Sequence, residues 1–567
     1  MGARLLVLAC VALLLTPAVA SAQRWTPEAW QASLSEPVYD DVVQSRHTIT
    51  ARDGTRLVVT VYLPKGLPAG ERVPSLVELS PYRSFDAAPF EDTIGASFKT
   101  FTDRGAAYVL VDERGTGGSD GCLDFGGPAD RADAADAAAW IRAQPWSNGV
   151  LVTDGISHPG MGSVVAHTSV PGLDGALAHA PVVSYYQDEW LQGAKFEDQL
   201  NGPLYEAIEA TPPAPGQLGS VEALKAQAPA CRGRATLDFT PYDGPFSPLW
   251  QSRDLSRFPP SERRPILLTH GFADLNVHPD HSQKYWDALP DDYPKHAIFG
   301  WWYHGWPAPA ADFALIRHRW LDALLFKRDN GLEAEPRVLV QDSRRTWHEG
   351  HDWPLEPSEP VVLRPTPDGR LGSAPGAAGS GAGYRDAVPV TRGRWTGAHV
   401  AFRSAPLQAE RLVNGAPRLE LVGSSSEAST KWVAYLMAEA PDGTWRRITH
   451  GYADSHTWRS PDTWSPMVPG TPYRWTLELQ PTAVVVPAGH RLTLVVASQD
   501  SRRTRDPREA VTCMPDYRGG CYSPSGILPA TTAGRAVNRV HTGPGETELR
   551  LHWVDPARTA KAPFPEG

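Results

Sequence analysis

A strand, a tight turn and a helix run together between Gly149 and Thr168, and the turn carries a serine. The apolar run Gly149–Val152 leads into Thr153-Asp154-Gly155-Ile156-Ser157-His158-Pro159-Gly160, and a small-residue helical pattern follows from Met161 to Thr168. Such a turn is strained, so the residues beside the serine must be small. The helix that follows points its first backbone N–H groups at a place where negative charge could form. A chain with this join folds as a strand-and-helix layer structure that can present the serine as a nucleophile. The spacing is G-x-S-x-x-G, so the motif by itself also fits an ordinary turn between a strand and a helix.

The surroundings extend the pattern. From about Val43 to Gly300, strands alternate with helices. His47–Ala51 and Leu57–Tyr62 read as an antiparallel pair around the Asp53-Gly54 turn. Ser75–Leu79, Ala107–Val111, Leu151–Thr153, Gly175–His179, Ile266–Thr269 and Ala297–Phe299 read as buried strands, with helices over Arg131–Ala143 and Phe313–Phe326. This predicts a mostly parallel sheet covered on both faces. The alternation stops between residues 186 and 260, which read as an inserted, partly helical cap. After about residue 333 short β-rich runs take over, including Arg337–Gln341, Arg418–Val422, Lys431–Leu436, Arg491–Val496 and Leu549–Trp553, and they predict an all-β sandwich. The Gly/Ala/Ser-rich run from Gly369 to Gly383 reads as a flexible loop. The expected division is 23–185 with 261–332 for the sheet domain, 186–260 for the cap and 333–560 for the sandwich.

Arg4, the apolar run Leu5–Leu15 and Ala20-Ser21-Ala22 read as a secretory signal over residues 1–22, with a mature chain from Gln23. The apolar run is too short for a comfortable membrane span. Four cysteines then remain, and an even count in an exported chain suggests two disulfides. Cys513 and Cys521 bracket a short loop and are expected to pair, which leaves Cys122 with Cys231; free buried thiols are the other reading. A net charge of −10 argues against nucleic acid as partner. The Gly-rich run Arg114–Gly121 lacks the Gly-Lys-Ser/Thr ending of a phosphate loop. No metal-ligand spacing is present, so neither metal nor cofactor is expected.

A nucleophilic serine needs a base and an acid that orients it, and on a sheet of this kind the chain order is Ser, acid, His. Asp274 follows the strand Ile266–Thr269, and His304 follows the strand Ala297–Phe299, so both stand where those roles belong. His158 should point away from the nucleophile. His270 reads as a buried structural residue, His278 and His281 as exposed, and Asp154 and Asp280 as cap or surface charges.

Together these residues resemble the Xaa-Pro dipeptidyl-peptidase and cocaine-esterase-like (CocE/NonD) group of α/β-hydrolases. Gly155–Gly160 is similar to its G-x-S-Tyr-x-G elbow, Ser80-Pro81-Tyr82-Arg83 to its Pro-Tyr motif, and Val111–Ser119 to its Asp-x-Arg-Gly-x-Gly-x-Ser turn. Pro145–Gly149 resembles its Pro-Trp-x-x-Gly lead-in, and Ala488–Leu492 the Gly-His-Arg-Leu segment of its C-terminal domain. The resemblance implies an α/β-hydrolase fold with an inserted helical cap, followed by a C-terminal all-β jelly roll. It implies Ser157 as nucleophile, Asp274 as acid and His304 as base, with the Tyr82 hydroxyl and the His158 backbone N–H as oxyanion donors. His158 stands where the family usually has tyrosine. Asp274–Val277 resembles the Asp-x-Asn-Val stretch of the dipeptidyl-peptidases, and Asp188 or Glu189 could hold a free N-terminal amine.

The function expected from this resemblance is an exported serine hydrolase that forms an acyl-enzyme and releases N-terminal Xaa-Pro dipeptides, with a small peptide or ester as its substrate. An esterase or acylase of cocaine-esterase type is the alternative, and a non-catalytic binding protein on a hydrolase scaffold a more remote one. Self-association as a homodimer is left open.

Overall fold

The fold was analysed in a computed structural model, which describes residues 31–82, 100–196, 231, 243–305, 310–332, 335–391, 394–500, 514–515, 521–522, 527, 530 and 532–562. The sheet domain is built on β1 (Val42–Thr50), β2 (Arg56–Pro64), β3 (Val73–Ser80), β4 (Ala107–Asp112), β5 (Ser147–Ile156), β6 (Gly175–His179), β7 (Ile266–Gly271), β8 (Lys295–Gly300), β9 (Val338–Gln341) and β10 (Trp347–Gly350). Their spatial order is β1-β2-β4-β3-β5-β6-β7-β8-β9-β10, closed by the short strand Ala560–Lys561. The strands from β4 through β9 run parallel, and the β1–β2 hairpin turns as expected at Gly54, with Thr50 opposite Arg56. The continuous apolar runs of β3 and β4 follow from burial on both faces. Val77 and Leu79 of β3 enter the core under α1 (Pro128–Arg142) and α2 (His158–Ser169), while Leu76 joins Trp320 and Leu321 of α5 (Ala310–Phe326) on the other face. Two further helices matter for the site, α3 (Tyr185–Glu189) and α4 (Asp280–Ala288).

Two expectations change. Arg337–Gln341 reads as part of the sandwich, but β9 pairs parallel with β8 and so extends the hydrolase sheet. An apolar run shows that a strand exists, not which sheet it joins. The Gly369–Gly383 loop begins and ends in strand: Leu371–Gly372 pairs with Glu359–Pro365, and Gly381–Arg385 with Val537–His541. Glycine is required at 381, where a Cβ would stand 2.6 Å from the Val540 carbonyl oxygen. In the expected cap, the described residues form α3, a small hairpin of Trp190–Leu191 with Ala194–Lys195, and single helical turns at Pro248–Gln251 and Leu255–Arg257.

The C-terminal domain is all-β. One sheet is organised around the long strand Arg411–Ser425, and the other contains His399–Arg403, Arg491–Ala497, Lys431–Glu439 and Trp445–Asp454. Their facing sides bury a core that includes Trp432, Trp475, Leu419 and Leu494. The outer side of the four-stranded sheet, with Val433, Tyr435, Met437 and Tyr452, packs against Leu191, Ala194 and Phe196 of the cap. The Trp301 indole donates to the Ala483 carbonyl at 2.8 Å and ties the sandwich to the loop beyond β8.

Cys122 and Cys231 come together with Cα atoms 5.4 Å apart, within disulfide range. Cys513 and residues 1–22 lie outside the described residues. No helix among the described residues is long and apolar enough to cross a membrane.

Candidate active site

Ser157 sits at the junction of β5 and α2 with φ 64° and ψ −125°, the strained turn expected of a nucleophile elbow. Its N–H is held by the His179 carbonyl at 2.8 Å, and its own carbonyl accepts the Met161 N–H at 2.9 Å. Two glycines make the elbow sterically feasible. A Cβ at Gly155 would collide with the Pro159 carbonyl, and one at Gly160 would stand 2.7 Å from the His179 oxygen.

Asp274 and His304 lie beyond the carboxyl ends of β7 and β8, which are adjacent in the sheet. Asp274 Oδ1 accepts the N–H groups of Asn276 at 2.9 Å and Val277 at 3.0 Å. Oδ2 accepts Nδ1–H of His304 at 2.8 Å. That bond leaves Nε2 of His304 as the proton-accepting nitrogen. Burial works to raise Asp274, but the His304 charge, the His270 Nε2–H group 3.5 Å away and the His304 hydrogen bond hold it well below the usual carboxylate range. Burial works to lower His304, but the charge of Asp274, its hydrogen bond and the field of Asp188 raise it above its ordinary value. The ring is partly open to solvent, with 27% of its side-chain surface accessible.

His270 is the buried structural histidine expected. Its Nε2–H donates to the Val277 carbonyl at 2.9 Å, and its Nδ1 accepts the Ser282 hydroxyl at 2.7 Å. His278 and His281, expected to be exposed, are both buried, because the sandwich and the cap cover the start of α4. Asp154, expected to be a cap or surface charge, is buried in an ion pair with Arg317 and accepts from His179 at 2.9 Å.

The His158 side chain points away from the elbow, as expected. Glu113 can only accept, so Nε2–H donates to it at 2.7 Å and Nδ1 accepts the Tyr185 hydroxyl at 2.6 Å. The bridge anchors the residue whose backbone N–H opens α2. Sequence reasoning missed Glu113 and Tyr185 as parts of the site. Tyr82 lies two residues beyond β3, half-buried, its ring 6.0 Å from that of His158 and edge-on to it. Glu189 is buried in an ion pair with Lys195. Asp188, also buried, faces Nε2 of His281 at 3.7 Å. Among the described residues no group of His, Cys, Asp and Glu is arranged to hold a metal ion.

The fold, with Ser157, Asp274 and His304 in that chain order at the ends of β5, β7 and β8, defines a serine hydrolase of the α/β type. Comparison with known proteins agrees. The X-Pro dipeptidyl-peptidase (S15 family) model matches residues 53–306, and the X-Pro dipeptidyl-peptidase C-terminal non-catalytic domain matches residues 330–547. The chain belongs to the S15 family of X-Pro dipeptidyl-peptidases. A Streptomyces avermitilis protein provisionally named Xaa-Pro dipeptidyl-peptidase is 25% identical, across 84% of this chain and 83% of its own. An aminopeptidase structure from a marine-sediment thaumarchaeote superposes with a TM-score of 0.70 at 19% identity, covering 91% of this chain and 97% of its own. A CocE/NonD family hydrolase from Staphylococcus aureus gives 0.68 at 14% identity, covering 90% and 94%.

Proposed function

We propose that this chain is an exported serine peptidase that releases Xaa-Pro dipeptides from peptide N-termini. The observation that carries the chemistry is the Asp274–His304 bond at 2.8 Å, together with an elbow that holds Ser157 at positive φ. In the proposed reaction Ser157 Oγ attacks the carbonyl carbon of the prolyl residue while Nε2 of His304 takes the hydroxyl proton. The carbonyl oxygen becomes an oxyanion held by the His158 N–H and the Tyr82 hydroxyl. The C–N bond then breaks, His304 gives its proton to the leaving amine, and the acyl group stays on Ser157. Water repeats the sequence to release the dipeptide acid.

The family membership supports dipeptidyl-peptidase specificity. We assign the substrate ammonium to Asp188, whose field already reaches His304. The 1–22 segment and the Cys122–Cys231 contact support export.

The test has two parts. A fluorophosphonate probe should label Ser157 in folded protein, and a missing adduct would remove the enzyme reading. Ala-Pro-p-nitroanilide should turn over, and its N-acetylated form should not. Turnover of p-nitrophenyl butyrate alone would move the protein to the esterase and acylase branch.

A further inference from the structure

The seam between the sandwich and the hydrolase domain holds three buried side chains with nothing to bond to among the described residues. Arg447 is 2% exposed, and its Nε, Nη1 and Nη2 all lack a hydrogen-bond partner there. His450 is 2% exposed and His278 1% exposed, and both ring nitrogens of each are likewise unpartnered. A few buried unsatisfied groups per hundred residues are ordinary, but a whole guanidinium and two whole imidazoles together ask for an explanation.

The cluster is assembled from both domains. Arg447 and His450 lie on the strand Trp445–Asp454, three residues apart, so simple alternation would put them on opposite faces. The register shifts there: Met437 pairs with Arg447, but Leu436 pairs with Thr449. The bulge turns Arg447 to the same side as His450 and Tyr452, toward the cap. His278 arrives from the loop between Asp274 and α4 and stacks on Phe196 at 4.5 Å. Phe196 meets the edge of Tyr452 at 6.0 Å, and Tyr452 lies 5.2 Å from His450, so a chain of ring contacts links the two histidines. Asp500 offsets the guanidinium charge through space, and Asp280 and Asp274 act on His278 in the same way. Asp500 accepts from the Tyr435 and Tyr452 hydroxyls and makes no hydrogen bond to Arg447.

We propose that Arg447, His450 and His278 enclose a binding site for a small inorganic monoanion of halide type, at the seam between the sandwich and the loop that carries Asp274. The donor count selects the ligand. Burial, then the Arg447 charge and the His278 ring, keep His450 neutral, and burial keeps His278 neutral. Each neutral imidazole offers one donor and one acceptor, while the guanidinium offers five donors and no acceptor. Water brings donors and acceptors in equal number, so filling the space with water leaves hydrogens unmatched. An anion accepts from all sides and donates nothing. The guanidinium is the single cation of the group and Asp500 already faces its charge, so a multiply charged sulfate or phosphate is disfavoured against a monoanion.

The site stands independently of the hydrolytic reading; only its effect on rate draws on it. Asp274 Oδ1 holds the N–H groups of Asn276 and Val277, and the next residue is His278. An anion on His278 therefore braces the segment that orients His304, and hydrolysis should rise severalfold and saturate with halide.

The deciding experiment is diffraction from the wild-type mature chain soaked in bromide, read by anomalous scattering. An anomalous peak within hydrogen-bond reach of Arg447 and at least one of the two histidines is expected. Ordered water alone in the site, bromide confined to the surface, or binding of acetate in preference to bromide would overturn the proposal. In parallel, the thermal midpoint should rise and saturate with bromide when gluconate holds the ionic strength constant, and Arg447→Gln should abolish that rise. If that variant does not fold, the wild-type diffraction still decides.

Discussion

Replacing Asp274 by asparagine isolates the role of one oxygen. Oδ1 accepts two backbone N–H groups, from Asn276 and Val277, and only an oxygen can stay there. In the Asp274→Asn variant the new amide nitrogen must therefore occupy the Oδ2 position, 2.8 Å from His304 Nδ1. A donor there forces Nδ1 to accept, so the ring proton moves to Nε2 and the base can no longer take the Ser157 proton. The expected loss is about 10⁴-fold in kcat, equivalent to about 5 kcal/mol of transition-state stabilisation. KM should hardly move, because substrate binding does not use that proton. The lost charge has a second consequence. Asp274 and Asp188 raise His304 against the effect of burial, so the wild-type acid limb should lie above about pH 6.5, the ordinary histidine value. Activity is lost as pH falls through that limb, because only the neutral ring is a base; in Asp274→Asn the residual activity should have its limb at lower pH. Steady-state kinetics from pH 5 to 9, with circular dichroism to show intact folding, measures both. A folded Asp274→Asn enzyme retaining a tenth of wild-type kcat would refute the tautomer argument.

Three further outcomes follow from the same geometry. Gly155→Ala should yield inactive or unfolded protein, because its Cβ collides with the Pro159 carbonyl behind the nucleophile; soluble expression and probe labelling check this. Glu113→Ala should cost about 1–3 kcal/mol by removing the carboxylate that accepts from the buried His158 Nε2–H, and Tyr185→Phe should cost less; urea unfolding measures both. Cys122 and Cys231 span a sequence separation of 109, so the chain-entropy model gives up to about 5 kcal/mol for a bridge. Cys122→Ser should lower the unfolding midpoint of protein recovered from the exported fraction, and an unchanged midpoint together with two free thiols at these positions would show that no bridge forms.

Much of the hydrolase sheet is legible in the sequence because its parallel strands are buried on both faces and read as continuous apolar runs. The order of Ser157, Asp274 and His304 is legible for the same reason, since each follows a recognisable strand. Other features depend on contacts that local pattern does not encode. Arg337–Gln341 reads as a strand, but its partner β8 is not written in its own residues. His278 and His281 look exposed until a distant domain covers them. Glu113 stands within the Val111–Ser119 turn, yet nothing nearby says that His158 will reach it. Arg447 turns toward the cap only because a bulge shifts the register beside it, and period-two reading would have sent it the other way.

The most direct test of the central claim is product analysis on a peptide beginning Ala-Pro-Gly. Wild-type protein should release the intact Ala-Pro dipeptide and the shortened peptide in equal amounts, Ser157→Ala should release neither, and acetylation of the N-terminus should stop the reaction. Serine-dependent ester cleavage with no dipeptide released, or cleavage indifferent to the acetyl group, would contradict it.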